Sequence, residues 1–408
     1  MWSRLLSGWA ALVAALMVVL CVTRPGHAAE APAHVSVLTM GPGDHPFTRF
    51  GHNALLLEWE PASRRQAAVY NFGTFEFDGL QGVRDFMAGR FRYWLSVSDL
   101  DTTLRAYAAA RRSLTAQQLD LTEAERAELY RALVENARPE HRYYDYDYYR
   151  DNCSTRVRDV LDRLLGGSLR RSVVGAGRLT FRQHTLTLVG DTPWLYFGLD
   201  LALGSPTDRP TTRWDELFLP QELHDALADA TRERNGQRVP LVKSEKPLLR
   251  SNRPALPREP ATPWFGLGGT GAALGGLLAV VGYGARRRRA LRVLFGLTTA
   301  LFGAALGLLG CALVVFWASK HWAAHANYSL LACTPWALAL VVLGTAFALG
   351  RPRSVRPLQL LLGASLASTA LLALLALAGA HESLRMALLF LPLWAGWLWG
   401  ARLAARAT

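Results

Sequence analysis

The chain is 408 residues long, with 45 Lys+Arg against 32 Asp+Glu and a formal charge of +13. The excess is confined to two places: residues 1–29 hold two basic residues and no acid, and residues 263–408 hold 12 basic residues and one acid, Glu382. Residues 30–262 are neutral, so the charge argues against a nucleic-acid-binding domain and reads as a topology signal beside apolar spans.

The N-terminus, MWSRLLSGWAALVAALMVVLCVTRPGHAAEA, has one arginine, a long apolar run and small residues at Ala28-Ala29. This is the pattern of a secretory signal peptide over 1–29, with an uncleaved signal anchor as the alternative. Either way the region that follows is expected outside the cytoplasm. Cys21 belongs to the apolar run, and Cys311 and Cys333 fall in hydrophobic segments. No pair has the spacing of a zinc site or disulfide scaffold, which leaves Cys153 alone in an oxidising compartment.

Residues 35–38 read as a strand, Gly41-Pro42-Gly43-Asp44 as a turn, and residues 53–59 as a second strand entered through His52. Residues 68–77 and 91–97 are further strands by their aromatic and β-branched content, with 104–111 as another candidate. Thr122 to Glu125 opens a helix running to about Ala137. Residues 142–165 pass from an aromatic-acidic run into a helix beginning at Cys153. Its apolar face is Val157, Val160, Leu161, Leu164 and Leu165, Asp151 and Asn152 are its candidate caps, and Gly166-Gly167 is its stop. Residues 179–230 are mixed and close on a turn and helix in RWDELFLPQELHDALADA. Five prolines, from Pro247 to Pro263, mark 244–263 as a linker. The region 30–243 is therefore an α+β domain, large enough for its own core.

Five apolar spans follow within 264–408, at about 264–284, 293–317, 329–350, 358–378 and 386–400. Each is near the roughly 20 residues that a bilayer crossing needs. Basic clusters after the first, between the third and fourth, and after the fifth alternate with weakly charged loops at 318–328 and 379–385. That alternation puts the folded domain outside and the C-terminus inside. Gly266, Gly268, Gly269, Gly271, Gly275 and Gly276 make the first span either a close-packing helix or one with ordinary membrane-helix glycine content. His321 and His325 offer two metal ligands, too few for a site.

The chemistry points to Cys153. In the first turn of a helix, free N–H groups and the macrodipole favour a thiolate, although a free cysteine is equally at home as a small buried hydrophobe. The N–H groups at that helix start also offer an oxyanion hole. A cysteine nucleophile needs a base, and His52 stands on the edge of a strand with Gly51 beside it. A hydrogen-bonded strand-end histidine is the plainer alternative. Asn71, polar within an apolar strand, requires a partner that is either the His52 ring or local backbone. Tyr143, Tyr144, Tyr146, Tyr148 and Tyr149 suit a lipid interface, a groove lining or ordinary core packing.

Three blocks in order, LTMGPGDHPFTRFGHNALLL, YNFGTFEF and YDYDYYRDNCSTRVRD, resemble the periplasmic domain of the Lnb-type lipoprotein N-acyltransferases. The five spans resemble that family's membrane domain in layout. The order His then Cys resembles a circularly permuted papain-like arrangement, as in lecithin retinol acyltransferase and the NlpC/P60 group. The resemblance implies a permuted papain-like, NlpC/P60-like α+β domain followed by an all-α membrane domain, with Cys153 as nucleophile and His52 as general base. It leaves the third residue open, for which Asn71 is the candidate. No cofactor or metal is expected. The implied activity moves an acyl chain from a phospholipid, through S-acyl-Cys153, to the N-terminal amine of a bacterial lipoprotein at the inner membrane. A cell-wall peptidase or amidase with the same dyad, and a non-catalytic membrane scaffold, are the other readings.

Overall fold

The computed structural model describes residues 31–60, 66–76, 79–254, 256–260 and 264–405. The expected signal segment 1–29, with Cys21, lies outside the described residues. The sheet domain begins with β1 (His34–Met40), β2 (His52–Trp59), β3 (Gln66–Phe75), α1 (Gly79–Met87), β4 (Arg92–Asp99), α2 (Leu100–Ala109), β5 (Leu114–Leu119), α3 (Glu123–Asn136) and β6 (Tyr143–Asp145). It continues through α4 (Cys153–Leu164), α5 (Ser168–Ser172), β7 (Ala176–Thr180), α6 (Phe181–Leu188), α7 (Pro193–Ala202), β8 (Pro210–Thr212), α8 (Arg213–Glu216) and α9 (Pro220–Asp229). Strands β9 (Thr231–Arg234), β10 (Gln237–Pro240) and β11 (Val242–Leu249) close it.

Among the described residues the main sheet has seven strands in the order β11-β5-β1-β2-β3-β4-β6, each pair antiparallel. Strand periodicity divides its side chains between two cores. Val35, Val37, Leu55, Leu57, Tyr70 and Phe72 face α3, α4 and α9, whereas Leu38, Met40, Ala54, Leu56 and Val69 face α2. The strands read as nearly continuous apolar runs because both faces are covered.

Two expectations for this domain change. Residues 104–111 belong largely to α2, which starts because Asp99 accepts a 2.7 Å hydrogen bond from the Thr102 N–H. The start of the expected linker is strand: β11 pairs with β5 at the sheet edge and carries Pro247, where a missing N–H is tolerated. Beyond it Arg253 reaches back to the Asp44 carboxylate.

The helical half comprises α10 (Trp264–Ala285), α11 (Arg289–Ala318), α12 (Ala339–Ala348), α13 (Val355–Leu377) and α14 (Leu384–Ala405). Four of these are long and apolar enough to cross a membrane. The expected third span is broken instead of straight, with a 55° bend between residues 322–331 and 335–348. Pro335 supplies no N–H at the break. Upstream, Asn327 donates 2.8 and 3.0 Å bonds to the Leu201 and Ala202 carbonyls and pins this segment against the sheet domain. Gly271, Gly275 and Gly282 let α10 approach the α14 backbone, whereas Gly266, Gly268, Gly269 and Gly276 face open space.

The two halves meet through buried charge. Arg182 of α6, fully buried, bonds Asp200 of α7 at 2.9 Å and Asp208 at 2.5 Å, and Arg385 of α14 bonds Asp200 at 2.9 Å. The loop before α14 joins them, its Glu382 N–H donating to Asp208 at 3.1 Å.

Candidate active site

Asn152 fixes the start of α4. Its Oδ1 accepts the Ser154 and Thr155 N–H groups at 2.9 Å each, its own N–H donates to Thr155 Oγ1 at 2.8 Å, and its Nδ2 donates to the Tyr148 and Phe218 carbonyls. The cap is therefore Asn152 and not Asp151, which pairs with Arg156 at 2.6 Å. This capping narrows the expected oxyanion hole, because two of the helix-start N–H groups are committed to Asn152. The Cys153 N–H is the one that remains.

His52 sits where β2 begins, after Gly51 at φ +82°, a conformation that glycine adopts freely. Its Nε2 is hydrogen-bonded to Asn71 Oδ1, and the ring lies close enough to the Cys153 thiol for each to shift the other's charge state. Gly73, at φ +102°, lies against both groups. A Cβ there would touch both Cys153 Cβ and His52 Cε1 at 3.5 Å. The same glycine falls in the β3–β4 register shift, so the bulge and the missing side chain open the face between Cys153 and His52. The structure thus brings Cys153, His52 and Asn71 together in line.

The electrostatics follow from that contact. Burial raises the Cys153 thiol, but the His52 charge and hydrogen bond, the Asn53 N–H and the Ser154 hydroxyl together bring it down to about 7. Burial lowers His52, and the Cys153 charge with the bonds from Cys153 and Asn71 outweighs it, raising the imidazole. Each group's charged form thus favours the charged form of the other, thiolate and imidazolium.

Sequence reasoning missed Asn53. It is fully buried, donates to Thr39 Oγ1 at 2.9 Å, and accepts from Ser154 Oγ at 2.8 Å, which ties the helix start to the strand carrying His52. The signal was present, since the argument made for Asn71, a polar amide in an apolar strand, applies equally to Asn53. Trp322, from the segment after α11, was missed as well. Its indole donates to Asp147 at 2.5 Å, and Arg150 lies 3.6 Å above its ring.

Other histidines are engaged elsewhere. His184 bonds Glu216 at 2.8 Å, and His141 meets Glu135 at 2.9 Å on the surface. His321 and His325 each bond a backbone carbonyl, of Phe86 and Ser319, rather than facing one another as metal ligands. Among the described residues, no three His, Cys, Asp or Glu side chains group as a metal site. Tyr146 stacks on Tyr93 at 4.0 Å, part of an aromatic wall on the Cys153 side of the sheet.

Residues 27–185, which carry His52, Asn71 and Cys153, match the family model of the Lnb N-terminal periplasmic domain. No curated protein and no solved structure matches the chain significantly.

Proposed function

Taking the N-terminal half as an Lnb-type periplasmic domain seated on membrane helices, we propose that this protein is a cysteine-dependent acyltransferase of the bacterial inner membrane. Its acyl donor is a phospholipid and its acceptor the N-terminal amine of a lipoprotein. The observation that carries this reading is a thiol held at about 7 by His52, on a domain locked to apolar spans through a buried ion cluster.

The Cys153 thiolate attacks the ester carbonyl carbon, and an S–C bond forms. The negative oxygen of the tetrahedral adduct faces the Cys153 N–H. Collapse breaks the C–O bond to glycerol, and His52 gives its proton to the departing alkoxide. The lipoprotein amine then attacks the thioester carbonyl and forms a C–N bond. It loses a proton to His52, and the C–S bond breaks to restore thiolate and imidazolium. Asn71 holds the ring through its Nε2 and so keeps it in one orientation throughout. A thioester must outlast water until the acceptor arrives, and a site held against the membrane favours that. A peptidase using the same dyad accounts for the thiol but not for the docking on membrane helices.

The test is mass spectrometry of the full-length protein in phospholipid vesicles without acceptor. A thioester-linked acyl group is expected on Cys153, together with N-acylated lipoprotein termini that depend on this protein in cells. Cys153→Ser should lower transfer by at least about 10³-fold, because an alkoxide is far harder to form than a thiolate. Full activity in that variant with no adduct on the wild type would overturn the proposal.

A further inference from the structure

Helix α1 presents Leu80, Val83 and Phe86 to solvent, 89%, 45% and 38% exposed. Spaced three apart, they form one apolar stripe, and a stripe of this kind on a folded domain calls for something to cover it. The cover is indicated by where α1 is fastened. His321 Nε2 donates to the Phe86 carbonyl at 2.6 Å, and the Lys320 N–H donates to the Ala88 carbonyl at 3.3 Å. The Phe86 ring packs on Phe316 at 6.2 Å, in the last turn of α11. Gly89 approaches Lys320 so closely that a Cβ would lie 2.9 Å from that side chain. Helix α1 is thus fixed at the level where a membrane-length helix ends, and Phe86 of its stripe meets Phe316 of that helix, whose neighbours Val314, Val315 and Trp317 are exposed. Arg84 and Arg90 beside the stripe are exposed, as suits anionic headgroups.

Behind α1 an aromatic row leads inward. Phe86 lies 6.0 Å from Phe91, Phe91 5.3 Å from Tyr93, and Tyr93 4.0 Å from Tyr146. Tyr93 is opposite Phe75 in the β3–β4 register, two residues past Gly73, the residue that lies against thiol and imidazole. Burial and the nearby Cys153 charge both push the Tyr93 phenol up, in keeping with that placement.

We propose that α1 lies in the membrane leaflet nearest the sheet domain and that the row from Phe86 to Tyr146 conducts a lipid acyl chain from the bilayer to Cys153. The second half of this statement rests on the acyl-transfer reading; the first does not. An acyl chain suits such a row because it offers apolar area and few polar groups. The interfacial helix meets the requirements for lying in a membrane surface, an apolar face flanked by basic residues.

The experiment uses full-length protein in vesicles of phosphatidylethanolamine and phosphatidylglycerol doped with a phospholipid carrying a diazirine in its acyl chain. After irradiation, adducts are expected on residues 80–86 as well as on 314–317, and also on Tyr93 or Tyr146. Leu80→Glu with Val83→Glu should cut the α1 adducts at least about tenfold, leave those on 314–317 unchanged, and leave the melting temperature unchanged because Leu80 is exposed. No adduct on α1 while α11 labels would overturn the interfacial helix. No adduct on Tyr93 or Tyr146 would overturn the conduit. The same variant should lower the ratio of transfer from bilayer phospholipid to hydrolysis of a short water-soluble ester by about tenfold. An unchanged ratio counts against the conduit, whereas a wild type active on neither donor defeats the acyl-transfer reading and leaves the cross-links to decide where α1 lies.

Discussion

The sheet domain and the helical half both bury some polar atoms without partners, Gln117 and Tyr148 among them in the first, but they differ in where their side-chain hydrogen bonds gather. In the sheet domain Asn53, Asn152, Ser154 and Thr155 are buried, and their side-chain hydrogen bonds converge on the start of α4. In the helical half, Thr334, Ser365 and Trp394 bury polar atoms with no partner, and the helices approach through glycine against backbone. Among the described residues, strong charge pairing reappears there at the end facing the sheet domain, where Arg385 meets Asp200. The contrast separates two tasks. One half spends its hydrogen bonds on holding a single thiol in a fixed direction. The other provides a surface in the bilayer and a charged joint that carries the first half.

The joint gives the largest effect. Asp200 is fully buried between Arg182 and Arg385, and Asp200→Ala leaves two guanidinium groups without their shared carboxylate. A loss of about 3–5 kcal/mol is expected, from the cost of an uncompensated buried charge. Thermal melting of the detergent-solubilised protein reads it. A loss below about 1 kcal/mol would mean that the two halves are held by something other than this cluster.

Next comes His52→Ala, which tests whether the sheet domain alone sets the thiol. Alkylation of Cys153, followed on its own peptide by mass spectrometry, should rise with pH through about 7 in the wild type, because the thiolate exists above its pKa. In the variant, burial is opposed only by the Asn53 N–H and the Ser154 hydroxyl, so the inflection moves up from about 7 toward the ordinary value of 9. The rate at pH 7 should fall by up to about 50-fold, the limit in which the thiolate fraction drops from about a half to about a hundredth. An inflection that stays near 7 would assign the activation to the helix start.

How far the sequence carried this picture depended on whether the signal was local. Helix α4 was legible because its apolar period and its cap are written within a dozen residues, and β2 because His52 precedes an apolar run. Residues 104–111 were misleading, since Leu104 and Tyr107 suit a strand as well as the helix that Asp99 caps. The prolines after residue 244 signalled a linker, yet one of them sits harmlessly on an edge strand whose partner, β5, lies more than 120 residues earlier. The kink in the third span had its signal in Pro335, but the force that holds the upstream segment comes from carbonyls of α7. The line of His52, Asn71 and Cys153 could be guessed by residue type. Gly73 as the opening beside them could not, because it depends on a register shift.

The smallest effect belongs to Trp322, where the helical half touches the thiol's own loop. Asp147 accepts the Tyr149 and Arg150 N–H groups at 2.9 Å and exchanges backbone bonds with Asp151, just before the Asn152 cap. Trp322 donates to the other oxygen of that carboxylate. Trp322→Phe keeps the ring beside Tyr149 and Phe181 but removes the donor, a change worth about 1–2 kcal/mol when the acceptor is charged. Turnover should fall a few-fold through a looser helix start, while the Cys153 alkylation inflection stays near 7, because neither His52 nor Asn71 is disturbed. A lower melting temperature with unchanged turnover would show Trp322 to be a tether and nothing more. A shifted inflection would break the division of labour itself, since the membrane half would then be helping to set the charge on the thiol.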